Sequence, residues 1–210
     1  MNVICVIGDV IDSRSLKGRG LFQERFQQTL DEINQSQSPS MISPCTITLG
    51  DEFQAVYRDA GPLFLDFMTI LDRLYPAKVR FSVGIGPLET PINSQQALGM
   101  DGPAFHVARA AFDSDFKKSE RLFQLGHHQR PVPAWVESGL ALVSHEMRTW
   151  KRNRFQVFLK VLADVEPKSI AEQLGITPAA VYKNLHAGAL DPIRAMTQEV
   201  ASWVNQELQS

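Results

Sequence analysis

Cys45-Thr46-Ile47-Thr48-Leu49-Gly50-Asp51-Glu52-Phe53-Gln54-Ala55-Val56-Tyr57 reads as two short strands around a Gly-Asp turn. Both flanking runs are rich in β-branched and aromatic residues, and Gly-Asp between two such runs signals a hairpin. In the first run Cys45, Ile47 and Leu49 alternate with Thr46 and Thr48; in the second, Phe53, Ala55 and Tyr57 alternate with Glu52, Gln54 and Val56. The turn is expected to lift two adjacent carboxylates, Asp51 and Glu52, to the tip of the ribbon. A Gly-Asp pair by itself makes only a turn, but a second acidic strand end lies upstream.

That strand is Asn2-Val3-Ile4-Cys5-Val6-Ile7, a near-continuous apolar run of the kind covered on both faces. It stops at Gly8-Asp9 and opens into Asp12-Ser13-Arg14. A buried strand ending in Gly-Asp before a polar loop and a helix is a place for phosphate or metal chemistry. The plainer reading has Asp9 or Asp12 capping the next helix. Gly18 to Asn34 is that helix, with Leu21, Phe22, Phe26, Leu30 and Ile33 at helical spacing. Gln35 to Pro44 is a Ser/Gln/Pro connector.

Beyond the hairpin, Pro62 to Leu74 predicts a second helix, and Val79 to Gly86 a fourth strand with Phe81, Val83 and Ile85 alternating. The order strand, helix, strand, strand, helix, strand is the ferredoxin-like βαββαβ pattern, an α+β fold. In a sheet ordered 4-1-3-2 the first strand neighbours the third, and neighbouring strands lie about 4.8 Å apart. Asp9 and Asp51 then come close enough to share a cation, with Glu52 beside them. Mg²⁺ suits such a place, because it takes a few carboxylates and fills its shell with water and phosphate oxygens. Gly8, Asp12, Ser13, Arg14, Gly50 and, further along the chain, Gly102 are the expected nucleotide-binding residues around it.

Ile7-Gly8-Asp9-Val10-Ile11-Asp12-Ser13-Arg14, Leu49-Gly50-Asp51-Glu52-Phe53 and Gly99-Met100-Asp101-Gly102-Pro103-Ala104-Phe105 together resemble the SatD family over most of the chain. More distantly, roughly residues 1 to 125 resemble the palm of class III nucleotidyl cyclases and GGDEF diguanylate cyclases. In those enzymes a carboxylate ending the first strand and another in the hairpin hold two metal ions around a nucleoside triphosphate. Asp9 and Asp51 take the matching places. Gly50-Asp51-Glu52-Phe53 repeats the last four letters of the GGDEF signature, with Leu49 in place of its first glycine. The resemblance implies a helix opening at glycine, here Gly102, and the helix is expected over Asp101 to Phe116. Where the cyclases carry Asn this chain has His106. Arg109 comes one residue before the place of the cyclase Arg, a rotation of about 100° on a helix. His106 and Arg109 are thus the candidate catalytic residues, against plainer roles as a hydrogen-bonded histidine and an ion-pairing arginine.

Arg121 to Leu125 is a fifth strand on this reading, and His127-His128 falls in the loop after it, without zinc-ligand spacing. Pro133 to Thr149 is helical, its Trp135, Val136, Leu140, Leu142, Val143 and Met147 forming a core-facing stripe.

The character of the chain changes at Trp150-Lys151-Arg152-Asn153-Arg154, so the expected domains are a cyclase-like palm over 1–150 and an all-α domain over 151–210. Phe155 to Val165 starts the latter. Within Ser169 to Leu185, Ala171, Gly175 and Val181 stand at the offsets a helix-turn-helix needs for a small contact residue, a turn glycine and a β-branched residue. Thr177 is placed to cap the second helix, with Pro178 first inside it. The unit is similar to the helix-turn-helix of sigma-type and response-regulator proteins, which lays its second helix in the major groove. Thr177, Ala179, Tyr182 and Lys183 are the residues such a helix would present to DNA. Ala195 to Leu208 supplies a last packing helix.

Charge tempers that reading. Residues 151–210 hold seven basic and six acidic side chains, a net of +1, while the remaining fourteen and seventeen give −3. DNA affinity rests largely on phosphate neutralisation, so a homodimer is expected, doubling the contacts. No apolar run approaches the 18 or so residues that cross a membrane, no basic segment opens the chain as in a signal peptide, and Cys5 and Cys45 have no ligand spacing; a cytoplasmic protein with reduced core thiols is expected. Three functions follow: a regulator coupling a nucleotide or phosphorylated ligand on the palm to DNA; an active Mg²⁺-dependent cyclase or nucleotidyltransferase; or a non-catalytic dimeric scaffold. The misplaced Arg109 and the missing Asn favour the first.

Overall fold

The protein, a computed structural model describing residues 1–36, 39–113, 116 and 119–210, folds around one five-stranded sheet. The strands are β1 (Asn2–Val10), β2 (Met41–Leu49), β3 (Glu52–Tyr57), β4 (Val79–Pro87) and β5 (Phe123–His127). The helices are α1 (Arg19–Gln35), α2 (Leu63–Leu74), α3 (Pro103–Asp113), α4 (Ala134–Met147), α5 (Arg152–Leu162), α6 (Pro167–Leu174), α7 (Pro178–Ala187) and α8 (Leu190–Glu207). The sheet order is β2-β3-β1-β4-β5, so the expected 4-1-3-2 arrangement is present with β5 added beside β4. β1 runs antiparallel to both β3 and β4, and β5 runs parallel to β4.

β1 is buried on both faces, which explains its apolar run. Ile4, Val6 and Val10 join Phe53, Ala55, Phe81 and Val83 in the larger core, under α1 and α2. Val3, Cys5 and Ile7 join Val56 against Ala104, Ala108 and Phe112 of α3 on the opposite face. Aromatic stacking runs through the larger core; the Phe67 and Phe81 rings lie 4.2 Å apart, stacked. That core continues without a break into Phe158, Ile170, Val181, Ile193 and Val204 of the C-terminal helices. Asn2 Nδ2 donates to the carbonyls of Glu207 and Ser210, and Asn205 Oδ1 accepts from the Ala60 amide, tying α8 back onto the sheet layer.

Several sequence expectations shift. β2 begins at Met41, not Cys45; Pro44 lies inside it because β2 is an edge strand whose register slips between Ser43 and Thr46, where no ladder donor is needed. Of the expected connector, Gln37 and Ser38 lie outside the described residues. The helix expected to run to Phe116 is described only as far as Asp113, and residues 114, 115, 117 and 118 also lie outside the described set. β5 is displaced to end on His127, so this histidine closes a strand instead of sitting in a loop, and its ring lies 4.8 Å from that of His128. Leu21 and Leu142, read as core-facing, are 75% and 71% exposed. A wide apolar stripe buries its centre first and leaves its margin in water. α8 starts five residues earlier than the spacing suggested, with Pro192 tolerated in its first turn. Cys5 and Cys45 are both buried and free, in the cores on opposite faces of the sheet.

One buried polar group gives the fold a pH dependence. Asp66 in the first turn of α2 accepts the Tyr57 hydroxyl at 3.0 Å, and burial raises its carboxyl pKa to about 6 although that hydrogen bond pulls it down. Because the folded value lies above the unfolded one, the stabilisation is complete only below the ordinary carboxyl pKa of 3.8 and is lost as pH rises from there through about 6. A rise of this size is worth about 3 kcal/mol. Asp66→Asn keeps the acceptor for Tyr57, so urea denaturation should show it more stable than the parent by up to this amount at pH 7 and close to it at about pH 3, below the carboxyl's ordinary pKa. Parallel curves at the two pH values would refute the assignment.

Candidate functional site

Strand periodicity decides where the acids go. Asp9 has two direct partners across the sheet, Glu52 on β3 and Arg80 on β4. All three point to the α3 face, since their neighbours Val10, Phe53 and Phe81 belong to the opposite core. They form a row in which Asp9 sits between an acid and a base. Arg80 donates from Nη2 to Asp9 Oδ2 at 3.2 Å, and both side chains are nearly buried. Arg109 of α3 forks onto Glu52 with two 2.7 Å bonds, and Thr48 Oγ1 donates to the same carboxylate at 2.9 Å. The Phe112 ring lies about 6 Å from both guanidinium carbons, at 6.0 Å from that of Arg80 and 5.9 Å from that of Arg109. Bidentate and charge-assisted pairing of this kind holds both arginines in fixed orientations.

Asp51 takes a different direction. One residue along a strand reverses the side chain, so Asp51 stays at the turn while Glu52 is buried; the two do not rise together to the tip as the hairpin reading expected. Asp51 accepts a hydrogen bond from Ser13 Oγ, and its carbonyl accepts from the Val10 amide at 3.0 Å. This pins the 3-10 turn Ser13–Ser15 against the hairpin. Asp12 opens that turn in the left-handed region, and its carbonyl accepts from the Ser15 amide and hydroxyl. Between turn and hairpin lies a cleft of about 810 Å³ lined by Asp9, Asp12, Ser13, Arg14, Asp51, Glu52 and Arg80, with the exposed Leu49 on its rim.

Not every expected residue reaches this cleft. Gly8 gives room to the Phe53 ring, which a β-carbon there would meet at 2.0 Å. Gly50 makes the turn, with a positive φ of 33°. Gly102 lies against Pro87 to Glu89 at the far end of β4, and His106 is held by Asp101 Oδ1 at 2.7 Å on exposed surface. Arg80 was missed by the sequence reading. Its signal was a charged residue inside the alternating strand 79–87, in register with Asp9.

The donor set fits a hydrated divalent cation in part. Asp51 carries no arginine among the described residues, whereas Asp9 and Glu52 are each engaged by one. Among the described residues no group of three His, Cys, Asp or Glu side chains is arranged to hold a metal ion. Asp51 is therefore the residue that would hold Mg²⁺, with water and ligand oxygens completing its shell.

In the C-terminal part of the chain α6 and α7 form a tight pair. Gly175 turns between them in the left-handed region at φ 64°, Ala171 and Val181 are buried at the crossing, and Thr177 Oγ1 accepts from the Ala180 amide as an N-cap. Thr177, Ala179, Tyr182 and Lys183 all lie exposed, while Val181 and Asn184 face inward. Arg154 of α5 packs on the end of α7, reaching Asn184 Oδ1 at 3.4 Å. Among the described residues no helix is long and apolar enough to cross a membrane.

Comparison with known proteins places this chain. No curated protein matches it significantly. The crystal structure of a regulator of polyketide synthase expression from Bifidobacterium adolescentis is similar at 13% identity, covering 98% of this chain and 86% of that one, with a TM-score of 0.26, too low to carry a structural inference. A sequence model of the SatD family matches residues 3–202, nearly the whole length described, and the chain belongs to the SatD family.

Proposed function

We propose that this protein is a ligand-responsive regulator: a cyclase-like palm binds a nucleotide or another phosphorylated small molecule with Mg²⁺, and the α6–α7 pair acts as a helix-turn-helix on DNA, in a homodimer. The observation that carries the ligand half is the cleft of about 810 Å³ in which the Ser13–Ser15 turn and Asp51 face Arg80, already oriented by Asp9. Preorganised charges of this kind bind without the cost of ordering flexible side chains. An enzymatic reading would require Arg109 to leave Glu52, where two short bonds now hold it.

A thermal-shift screen of nucleoside mono-, di- and triphosphates, with and without Mg²⁺, tests the ligand half. A ligand at a hundred times its Kd stabilises the native state by about 2.7 kcal/mol. Asp51→Asn should remove the Mg²⁺-dependent part of that stabilisation and leave the metal-free melting temperature within a degree or two of the parent. A parent that melts at one temperature in every condition would end the ligand reading.

The DNA half rests on the four exposed residues of α7 and its cap. Lys183→Ala should weaken binding to all sequences alike and lower the salt slope by about one, the signature of a phosphate contact. Tyr182→Ala should instead change which sequence is preferred. Anisotropy with fragments from the protein's own locus at about 50 mM salt, where phosphate contacts are strong, decides the matter; no binding there leaves α6–α7 as a packing module.

A further inference from the structure

Across the Ser13–Ser15 turn from the cleft lies a second lobe of about 510 Å³, sharing Asp12, Ser15 and Arg80 with it. The two lobes differ in charge. Among the residues lining the hairpin lobe, four carboxylates, those of Asp9, Asp12, Asp51 and Glu52, oppose Arg14 and Arg80. The second lobe reverses the balance, with Lys78, Arg80 and Arg148 against Asp12 and Glu120. Its floor is apolar, formed by Ile11, Leu16, Ala77 and Leu122. Arg80 and Arg148 are held by Asp9 and Glu120, whereas Lys78 is exposed and pairs with no carboxylate among the described residues. The Lys78 backbone is nevertheless fixed to the turn, its carbonyl accepting from the Ile11 amide at 2.8 Å.

Resting on the proposal that the palm takes a phosphorylated ligand together with Mg²⁺, we infer that the anionic group seats in this second lobe on Lys78, away from the hairpin, and that an apolar or aromatic part of the same ligand lies on the floor beside it. In the hairpin lobe Asp9 and Glu52 are paired to Arg80 and Arg109, so a phosphate there faces Asp12 and Asp51 with Arg14 alone to offset them; in the second lobe it meets Lys78, exposed and paired with no carboxylate among the described residues. The acidic lobe is then left to a cation accompanying the phosphate, next to Asp51. A floor of four apolar side chains under a charged rim is the usual make-up of a small-molecule site, and 510 Å³ lies within the usual size range. The ligand class is an organic phosphate ester of nucleotide size.

The test titrates inorganic phosphate, AMP and GMP into the full chain without Mg²⁺ and at constant ionic strength, so that the anion is read apart from any cation. Lys78 and Arg14 are both exposed, so charge reversal at either leaves the fold intact, as a melting curve verifies. Lys78→Glu should raise the Kd of a bound nucleotide at least tenfold and by more than Arg14→Glu does, and Lys78→Arg should leave it near the parent value. Binding of the nucleotide tighter than inorganic phosphate supports the apolar floor; equal binding overturns that part. A large effect at Arg14 with none at Lys78 would place the anion on the hairpin side and overturn the inference, while the ligand reading survives. A parent that binds no nucleotide with or without Mg²⁺ fails the ligand reading itself.

Discussion

Replacing Arg80 by methionine lowers folding stability by about 3–5 kcal/mol, the usual consequence of removing one partner of a buried pair. The Arg80 and Asp9 side chains are only 8% and 12% exposed, so water does not solvate the carboxylate left behind. Glu52 lies directly across from Asp9 on the same face, which sets a like charge beside it. For a domain whose whole stability is about 5–15 kcal/mol, this loss is readily seen as a fall in the urea midpoint. The mechanism has a second signature. Asp9→Asn introduced into the Arg80→Met background should recover much of the loss, because the buried carboxylate deprived of the Arg80 charge, and not the missing guanidinium packing, is the source of the cost. A double variant no more stable than Arg80→Met would show that lost packing dominates, and a single variant within 1 kcal/mol of the parent would show that the pair is solvated.

Gly84→Ala is expected to cost about 3 kcal/mol, at the upper end of what overpacking a well-filled contact does. A β-carbon at Gly84 would stand 2.1 Å from the Ala104 carbonyl oxygen and 2.6 Å from the Ala108 amide nitrogen. Both are backbone atoms of α3, so no rotamer change relieves the clash and the helix as a whole must lift from the sheet. Lifting α3 carries Arg109 away from Glu52, which ties this substitution to the site as well as to the core. Gly20→Ala is the matched control. Nothing lies within 4 Å of its would-be β-carbon, and alanine in a helix is favoured over glycine by up to about 1 kcal/mol. Denaturation of the two variants should therefore move in opposite directions. Gly84→Ala at parent stability would mean that α3 is held less closely than its contacts indicate.

Local chemistry was enough to read much of this protein from its sequence. The hairpin at Gly50-Asp51, the doubly buried first strand, the α1 and α2 stripes and the Ala171, Gly175 and Thr177 pattern each depend on residues close in the chain, and the structure places each where those residues require. The strand order also followed, because few arrangements of a βαββαβ pattern bury every apolar face. Element ends were less legible: Pro44 inside β2 and His127 at the end of β5 depend on which strand is an edge and which neighbour covers it. What only tertiary structure decided is the company each charge keeps. Asp9, Glu52, Arg80 and Arg109 come from four elements and up to 100 residues apart, and their pairing follows from cross-strand register and from how closely Gly84 lets α3 approach. Sequence periodicity tells which face a side chain takes but not which side chain from a distant element faces it there, and that second fact is why, of the three carboxylates expected around a cation, Asp9 and Glu52 are arginine-bound and Asp51 stays at the turn.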